Sequence, residues 1–110
     1  MQNIFNNLFV LDLANNHFGD LKHAKKIIDK FSIIIKKFKI NACIKFQFRD
    51  LETYIHKKYK KGKNNKFVKR FTTTRLNIKE ITTLFNYVKK KKIKTCCTPF
   101  DEKSVNLIED

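Results

Sequence analysis

Polar side chains interrupt two apolar segments of strand length, residues 8–15 and 42–48. Asp12 lies in the first segment, and Lys45 and Gln47 lie in the second. Side chains alternate between the two faces of a strand, so Lys45 and Gln47 share one face of the second segment. Asp12 has apolar neighbours on its face of the first segment. A charge taken out of water costs several kcal/mol unless it is paired or contacts a ligand. These residues therefore predict a pocket that holds a ligand.

The three polar residues also fall near the carboxyl ends of their segments, where ligands bind in parallel α/β sheets and in (β/α)₈ barrels. Two other interpretations stay open: Asp12 and Lys45 form a structural ion pair, or the short strands lie at an exposed edge. His17 and Thr98 have ordinary explanations. His17 is by default a solvated histidine in a polar turn. Thr98 is by default a strand-end residue.

Strands alternate with helices along the chain. Asp20 can cap a first helix, and Asn77 with Glu80 resembles the capping box of a second. A third strand, residues 93–98, stops at a proline, and Asp101 could cap the helix after it. The apolar stripes comprise Leu21, Ala24, Ile27, Ile28, Phe31, Ile34, Ile35 and Phe38 in the first helix, and Ile78, Ile81, Leu84, Phe85 and Val88 in the second. This order favours parallel strands joined by right-handed crossovers, an α/β fold.

Residues 49–76 form a long polar stretch that predicts one functional or mobile loop. It holds eight basic residues between Lys57 and Arg70. A small binding module that uses this loop on nucleic acid or an anionic surface is an alternative function. It would need aromatic residues placed to stack on bases, and Tyr54, Tyr59, Phe67 and Phe71 are only loosely interleaved with the lysines.

The formal net charge of +15 is a poor guide to function, because 22 of the 25 basic residues are Lys. Planar, bidentate recognition of bases and phosphates favours Arg. Abundant Lys, Asn, Ile and Phe are typical of an AT-rich coding sequence, so binding to nucleic acid is not expected.

Neither the cysteines nor the N-terminus indicates an exported or membrane protein. Cys43, Cys96 and Cys97 have no disulfide or zinc spacing, and the adjacent pair is interpreted as two strand residues that face opposite sides. No signal-peptide pattern is visible, and no apolar run approaches the roughly 18 residues that span a bilayer. We expect a reduced, cytoplasmic protein without a membrane partner.

Three blocks of the sequence resemble successive blocks of the sialic acid synthase family, in the same order. They read LDLANNHFGDLKHAKKIID, CIKFQFRDLETYIH and CCTPFDEKSVNLIED, and together they span nearly the whole chain. The family's first strand ends in Glu-Ile-Gly, followed by Asn-His and a Gly. Its second strand reads Val-Lys-Phe-Gln, and its third ends Ser-Thr-Pro-Phe-Asp. The resemblance implies that residues 1–110 form one domain, the N-terminal two and a half β/α units of a TIM (β/α)₈ barrel.

The resemblance also implies a reaction, the condensation of phosphoenolpyruvate with an N-acetylated amino-sugar such as N-acetylmannosamine to give a sialic acid. The enol carbon attacks the open-chain aldehyde, water adds at the enolpyruvyl carbon, and phosphate leaves. A divalent metal, Mn²⁺ or Mg²⁺, polarises the aldehyde in the family. Its ligands lie on later strands, so no metal ligand is expected in this chain, and the complete enzyme is expected to be a homodimer.

Residue roles follow from the same resemblance. Lys45 would hold the phosphate or carboxylate of phosphoenolpyruvate, and Thr98 would add a hydroxyl hydrogen bond to that anion. Gln47 would face the sugar, and Asp12 would bind sugar hydroxyls or manage a proton near the aldehyde. Asn16 and His17 match the family's Asn-His and would shape the rim of the site.

The chain departs from the family pattern at three positions. Asp12 replaces the family's Glu and is one methylene shorter, Ala14 replaces a Gly, and Cys97 replaces a Ser. A complete barrel needs about 250 residues. We therefore expect a chain of this length, without the later strands and the family's C-terminal antifreeze-like domain, to be inactive and not monodisperse by itself.

Overall fold

The computed structural model of the chain describes residues 3–61 and 64–109. Strands and helices alternate, with additional short helices between the second and third strands. The elements are β1 (Phe9–Leu13), α1 (Leu21–Phe38), β2 (Ala42–Phe48), α2 (Leu51–Tyr54), a 3₁₀ turn (Lys57–Tyr59), α3 (Lys66–Thr73), α4 (Ile78–Lys90), β3 (Lys94–Pro99) and α5 (Glu102–Glu109).

The three strands form one parallel sheet in the order β1-β2-β3. In its register Asp12 lies beside Lys45, and Lys45 lies beside Cys96. Parallel neighbours require a crossover, and α1 and α4 supply the two long crossovers of this sheet. The predicted α/β fold of consecutive β/α units with parallel strands is confirmed.

The hydrophobic core lies between one face of the sheet and the helices α1 and α4. Its buried members are Leu13, Ala24, Ile28, Ile44, Phe46, Leu84, Val88 and Ile93. The predicted helix stripes are only partly right, because Ile34, Phe38 and Ile78 are exposed and Ser32 is buried. The face of α1 that packs on the sheet and α4 contains the buried residues Ala24, Ile28 and Ser32. The small side chains of Ala24 and Ser32 permit close packing.

Three predicted helix caps are confirmed. The Asp20 carboxylate accepts hydrogen bonds from the backbone N–H groups of Lys22 and His23. Asn77 and Glu80 form a complete capping box, with reciprocal side chain to backbone hydrogen bonds of 2.9 and 2.8 Å. Asp101 accepts from the backbone N–H of Ser104 at 2.8 Å.

The prediction of one long loop over residues 49–76 is wrong. The segment contains α2, the 3₁₀ turn and α3, which starts at an Asn65 cap that accepts from the N–H groups of Phe67 and Val68. Short helices of this kind have too few turns to show an apolar period, so the local caps, Asp50 and Asn65, were the available signal.

Candidate functional site

The face of the sheet opposite α1 and α4 carries the polar strand residues. Strand alternation and the printed register place them in three rows across the sheet. The rows comprise Val10, Cys43 and Lys94 first, then Asp12, Lys45 and Cys96, and finally Gln47 and Thr98 at the carboxyl end. The predicted residues Asp12, Lys45, Gln47 and Thr98 are therefore brought together on one face.

Asp12 and Lys45 form an ion pair across β1 and β2, with 2.9 Å between Lys45 Nζ and Asp12 Oδ2. The hydrogen bond that Lys45 donates to Asp12 is the main reason that the pKa of Lys45 is raised, and partial desolvation opposes this shift. The two side chains remain 45% and 28% exposed, respectively, so the pair is open to solvent and to ligands. An ammonium group has three N–H donors, and this pairing leaves donors for an anion.

Gln47 is held from one side by Arg49, a residue for which the sequence patterns predicted no role. Arg49 Nη2 donates a 2.8 Å hydrogen bond to Gln47 Oε1. The guanidinium carbon lies 3.9 Å from the ring centroid of Phe100, 4.8 Å from that of Phe71 and 5.8 Å from that of Tyr54. Arg stacks on aromatic faces more readily than Lys does. The sequence signal for a role of Arg49 was therefore an Arg directly after a strand, in a chain with few Arg.

Asn16 lies in the turn after β1 and is exposed. Its side-chain amide donates a 3.1 Å hydrogen bond to the backbone oxygen of Asp12. Asn16 therefore stabilises the turn that follows the strand carrying Asp12.

The default interpretation of His17 as a solvated residue is wrong, because its side chain is buried at 7% exposure. Its Nδ1 accepts a 3.0 Å hydrogen bond from the Gly19 backbone N–H. Burial lowers the pKa of His17, while a hydrogen bond with the Ala14 backbone opposes that shift. His17 thus lines a cleft, together with Gln47 and Arg49, as a neutral ring.

The turn that buries His17 lies against the backbone between α3 and α4. Gly19 has a φ of +74°, and a Cβ at this position would lie 3.0 Å from the backbone oxygen of Thr73. Only glycine combines this backbone conformation with that approach. The close approach of the Thr73 backbone therefore adds a tertiary contact to the local hydrogen bonds of this turn.

The two adjacent cysteines face opposite sides of β3, as predicted. Cys96 shares the polar face, where its Sγ lies 3.5 Å from that of Cys43, while Cys97 packs on the core. Burial raises the pKa of each thiol to about 11. Both groups are therefore protonated thiols at neutral pH.

Two features are absent from residues 3–61 and 64–109. This part of the chain contains no group of three or more His, Cys, Asp and Glu side chains that could hold a metal ion. In the same residues, no helix is both long and apolar enough to cross a membrane.

Comparison with known proteins shows a family and similar solved structures, two of which are given below. The model of the NeuB family matches residues 34–110. A structure from Chromobacterium violaceum, described as spore coat polysaccharide biosynthesis protein E, is 39% identical over 94% of this chain, with a TM-score of 0.87. The N-acetylneuraminic acid (sialic acid) synthetase of Leptospira borgpetersenii serovar Hardjo-bovis, solved in complex with citrate, is 24% identical over 94% of this chain, with a TM-score of 0.65.

This chain spans 31% and 32% of those two structures, respectively, or about a third of each. No curated protein matches it.

Proposed function

Because the chain belongs to the NeuB family, we propose that its sheet supplies the phosphoenolpyruvate-binding and sugar-facing part of an enzyme of the sialic acid synthase type. The proposed reaction is the condensation of phosphoenolpyruvate with an N-acetylated amino-sugar, N-acetylmannosamine being the representative substrate. It belongs to carbohydrate biosynthesis, in agreement with the descriptions of the two similar structures.

The observation that carries this proposal is the placement of Lys45. Its ammonium group lies on the open face of the sheet, next to the row of Gln47 and Thr98 at the carboxyl end. Phosphoenolpyruvate carries several negative charges, and a fixed cation compensates them without reorganisation during the reaction. Lys45 binds the phosphate or carboxylate in this proposal, and the Thr98 hydroxyl adds a hydrogen bond.

Asp12 is proposed to act at the sugar end. Its carboxylate already accepts from Lys45, so the ion pair orients it beside the bound anion. From there it accepts hydrogen bonds from sugar hydroxyls, or holds the proton exchanged at the aldehyde oxygen. The Asp12 side chain is shorter than that of a Glu, so its carboxylate oxygens lie closer to the strand. The sugar must therefore approach the sheet more closely.

Gln47, His17 and Asn16 complete the proposed site. Gln47 offers its amide to the sugar, one row beyond Lys45. His17 and Asn16 shape the site from the turn after β1, His17 from inside the cleft and Asn16 through the Asp12 backbone.

A divalent metal would polarise the aldehyde in the complete reaction. The described residues supply no three-ligand cluster for it. A homodimeric complete enzyme in the cytoplasm remains part of the proposal.

Binding of phosphoenolpyruvate tests the role of Lys45. We expect the natural chain to bind it with chemical-shift changes at Lys45 and Thr98 in NMR titrations, and Lys45→Met to weaken binding at least about tenfold. Lys94→Met is the matched control, because Lys94 shares the polar face but lies two rows away from the carboxyl-end row of Gln47 and Thr98 and donates to Asn41. Equal losses in both variants would show a nonspecific charge effect and contradict the proposal.

Catalysis is tested by grafting. Residues 1–110 replace the corresponding third of the Leptospira synthetase, and phosphate release is followed with phosphoenolpyruvate and N-acetylmannosamine. The graft should release phosphate, and Lys45→Met in the graft should abolish release while Lys94→Met keeps it. A folded graft whose release is indifferent to Lys45 would argue against the proposed role.

A further inference from the structure

Arg49 is enclosed by side chains from three separate segments. Tyr54 comes from α2, Phe71 from α3, and Phe100 from the segment between β3 and α5. Arg49 Nε is buried and has no hydrogen-bond partner within the described part of the chain. The guanidinium is therefore held by stacking on the rings and by its hydrogen bond to Gln47.

This arrangement decides which end of the Gln47 amide is available. A guanidinium only donates hydrogen bonds, so the atom 2.8 Å from Arg49 Nη2 must be the amide oxygen. The NH₂ end of Gln47 then points away from Arg49. A glutamine without such a partner can turn either its oxygen or its NH₂ group towards a ligand, whereas Gln47 presents the NH₂ donor.

We propose that Arg49 is a positioning residue that locks Gln47 as a hydrogen-bond donor and so selects a sugar with an acceptor at that place. The inference rests on the proposed function for the presence of the sugar. An acetamido group has a carbonyl oxygen that can accept from the Gln47 NH₂. The unacetylated amino-sugar carries an ammonium at the same carbon, which only donates and would leave both groups unpaired.

The specificity comes from Gln47 in contact with sugar, and Arg49 acts through it. Without Arg49 the amide can rotate and present its oxygen to the ammonium of the unacetylated sugar. Arg49 therefore governs the ratio of the two affinities more than either affinity alone.

The first measurement is the order of the Gln47 side chain in the full chain, followed by NMR relaxation of its ¹⁵N-labelled amide. The natural chain should show one rigid NH₂ group with two distinct proton signals. Arg49→Met should make it mobile, and Arg49→Lys, which is still a donor, should restore part of the order. An amide that is equally rigid in Arg49→Met would overturn the positioning role whether or not any sugar binds.

The second measurement is the affinity of N-acetylmannosamine relative to mannosamine in the presence of phosphoenolpyruvate. The natural chain should favour the acetylated sugar at least about tenfold, and Arg49→Met should reduce that preference to about threefold or less. Arg70→Met, an exposed site on α3, should leave the preference unchanged. Signal dispersion in the NMR spectra confirms that each variant is folded.

An unchanged preference in folded Arg49→Met would overturn the proposal. If the natural chain binds neither sugar, the sugar role in the proposed function fails and the selection by Arg49 is overturned with it. Rigidity of the Gln47 amide that depends on Arg49 would in that case survive as a separate result.

Discussion

Lys45 Nζ lies 2.9 Å from Asp12 Oδ2, so the cation assigned to the substrate anion already has a carboxylate partner. The observed contact agrees with both the ligand pocket and the structural ion pair that the strand residues left open, since a half-exposed pair can serve either. The two interpretations differ in what happens when the carboxylate is removed.

Asp12→Asn should strengthen phosphoenolpyruvate binding about fivefold, because the substitution removes a negative charge beside the anion and frees the ammonium group. Asp12→Glu should restore the natural affinity. Asp29→Asn, which breaks the Asp29–Lys91 pair between α1 and the C-terminal end of α4, is the control and should change nothing. Calorimetric titration measures all three, and a weaker affinity in Asp12→Asn would assign the pair a purely structural role.

Stability should depend on pH through His17. Burial lowers its pKa below the ordinary 6.5, so the unfolded chain takes up a proton more readily than the folded one. The contribution of the neutral ring is present above pH 6.5 and is lost as the pH falls towards the lowered pKa. Protonation of Nδ1 also removes the acceptor for the Gly19 N–H.

Urea unfolding at pH 7.5 and pH 5 should show this loss in the natural chain and less of it in His17→Gln. His56→Gln, at an exposed position before the 3₁₀ turn, should keep the natural pH dependence. The same slope in His17→Gln as in the natural chain would exclude His17 as its source.

The thiols on β3 should react slowly at neutral pH. The pKa of Cys96 is raised to about 11, first by desolvation and then by its hydrogen bond with Cys43, against the opposing effect of Lys45. Alkylation requires the thiolate, so the rate at Cys96 should rise about tenfold per pH unit from pH 7 to pH 10. Peptide mass mapping after iodoacetamide treatment measures it, and a rate that levels off near pH 8 would contradict the raised pKa.

The Asn77 cap should be a measurable part of the stability of α4. Asn77→Ala removes the side-chain oxygen that accepts from the Glu80 backbone N–H and should lower the free energy of unfolding by about 1 kcal/mol. Asn86→Ala, at an exposed interior position of the same helix, should not destabilise the chain. Urea unfolding compares the two variants, and equal effects would show that the cap contributes little.

The basic residues between Lys57 and Arg70 should not bind nucleic acid at physiological ionic strength. Lys58 and Lys66 place their nitrogens 5.9 and 5.2 Å from the ring centroids of Tyr59 and Phe67, and Arg49 stacks on Phe71. These rings already have cations on their faces, whereas base stacking needs open ones. Fluorescence anisotropy of a labelled single-stranded oligonucleotide should show binding only at low salt, and saturable binding at 150 mM salt, roughly the ionic strength of a cell, would favour the alternative function.

The sheet and its long helices could be predicted because each carries its own local signal. Residues 42–48 are an apolar run that became β2 with the same bounds, and Asp20 and Asn77 marked the starts of α1 and α4. The grouping of Lys45 with Gln47 followed from strand alternation alone.

Burial of His17 and the role of Arg49 could not be predicted in the same way. His17 is covered because Gly19 approaches Thr73, a contact between residues more than 50 positions apart. Arg49 is enclosed by rings that come from three other segments, and nothing in the sequence places those segments around it.

The central place of β2 has a consequence for how the chain folds. Phe9 pairs with Ala42 and Cys43 pairs with Lys94, so the two ladders close loops of roughly 30 and 50 residues, and each needs β2. Helices α1 and α4 can form from local contacts before either ladder exists. The rate of sheet formation is then set by the encounter of β2 with its two distant neighbours. The ion pair of Asp12 and Lys45 arises only after β1 has paired with β2.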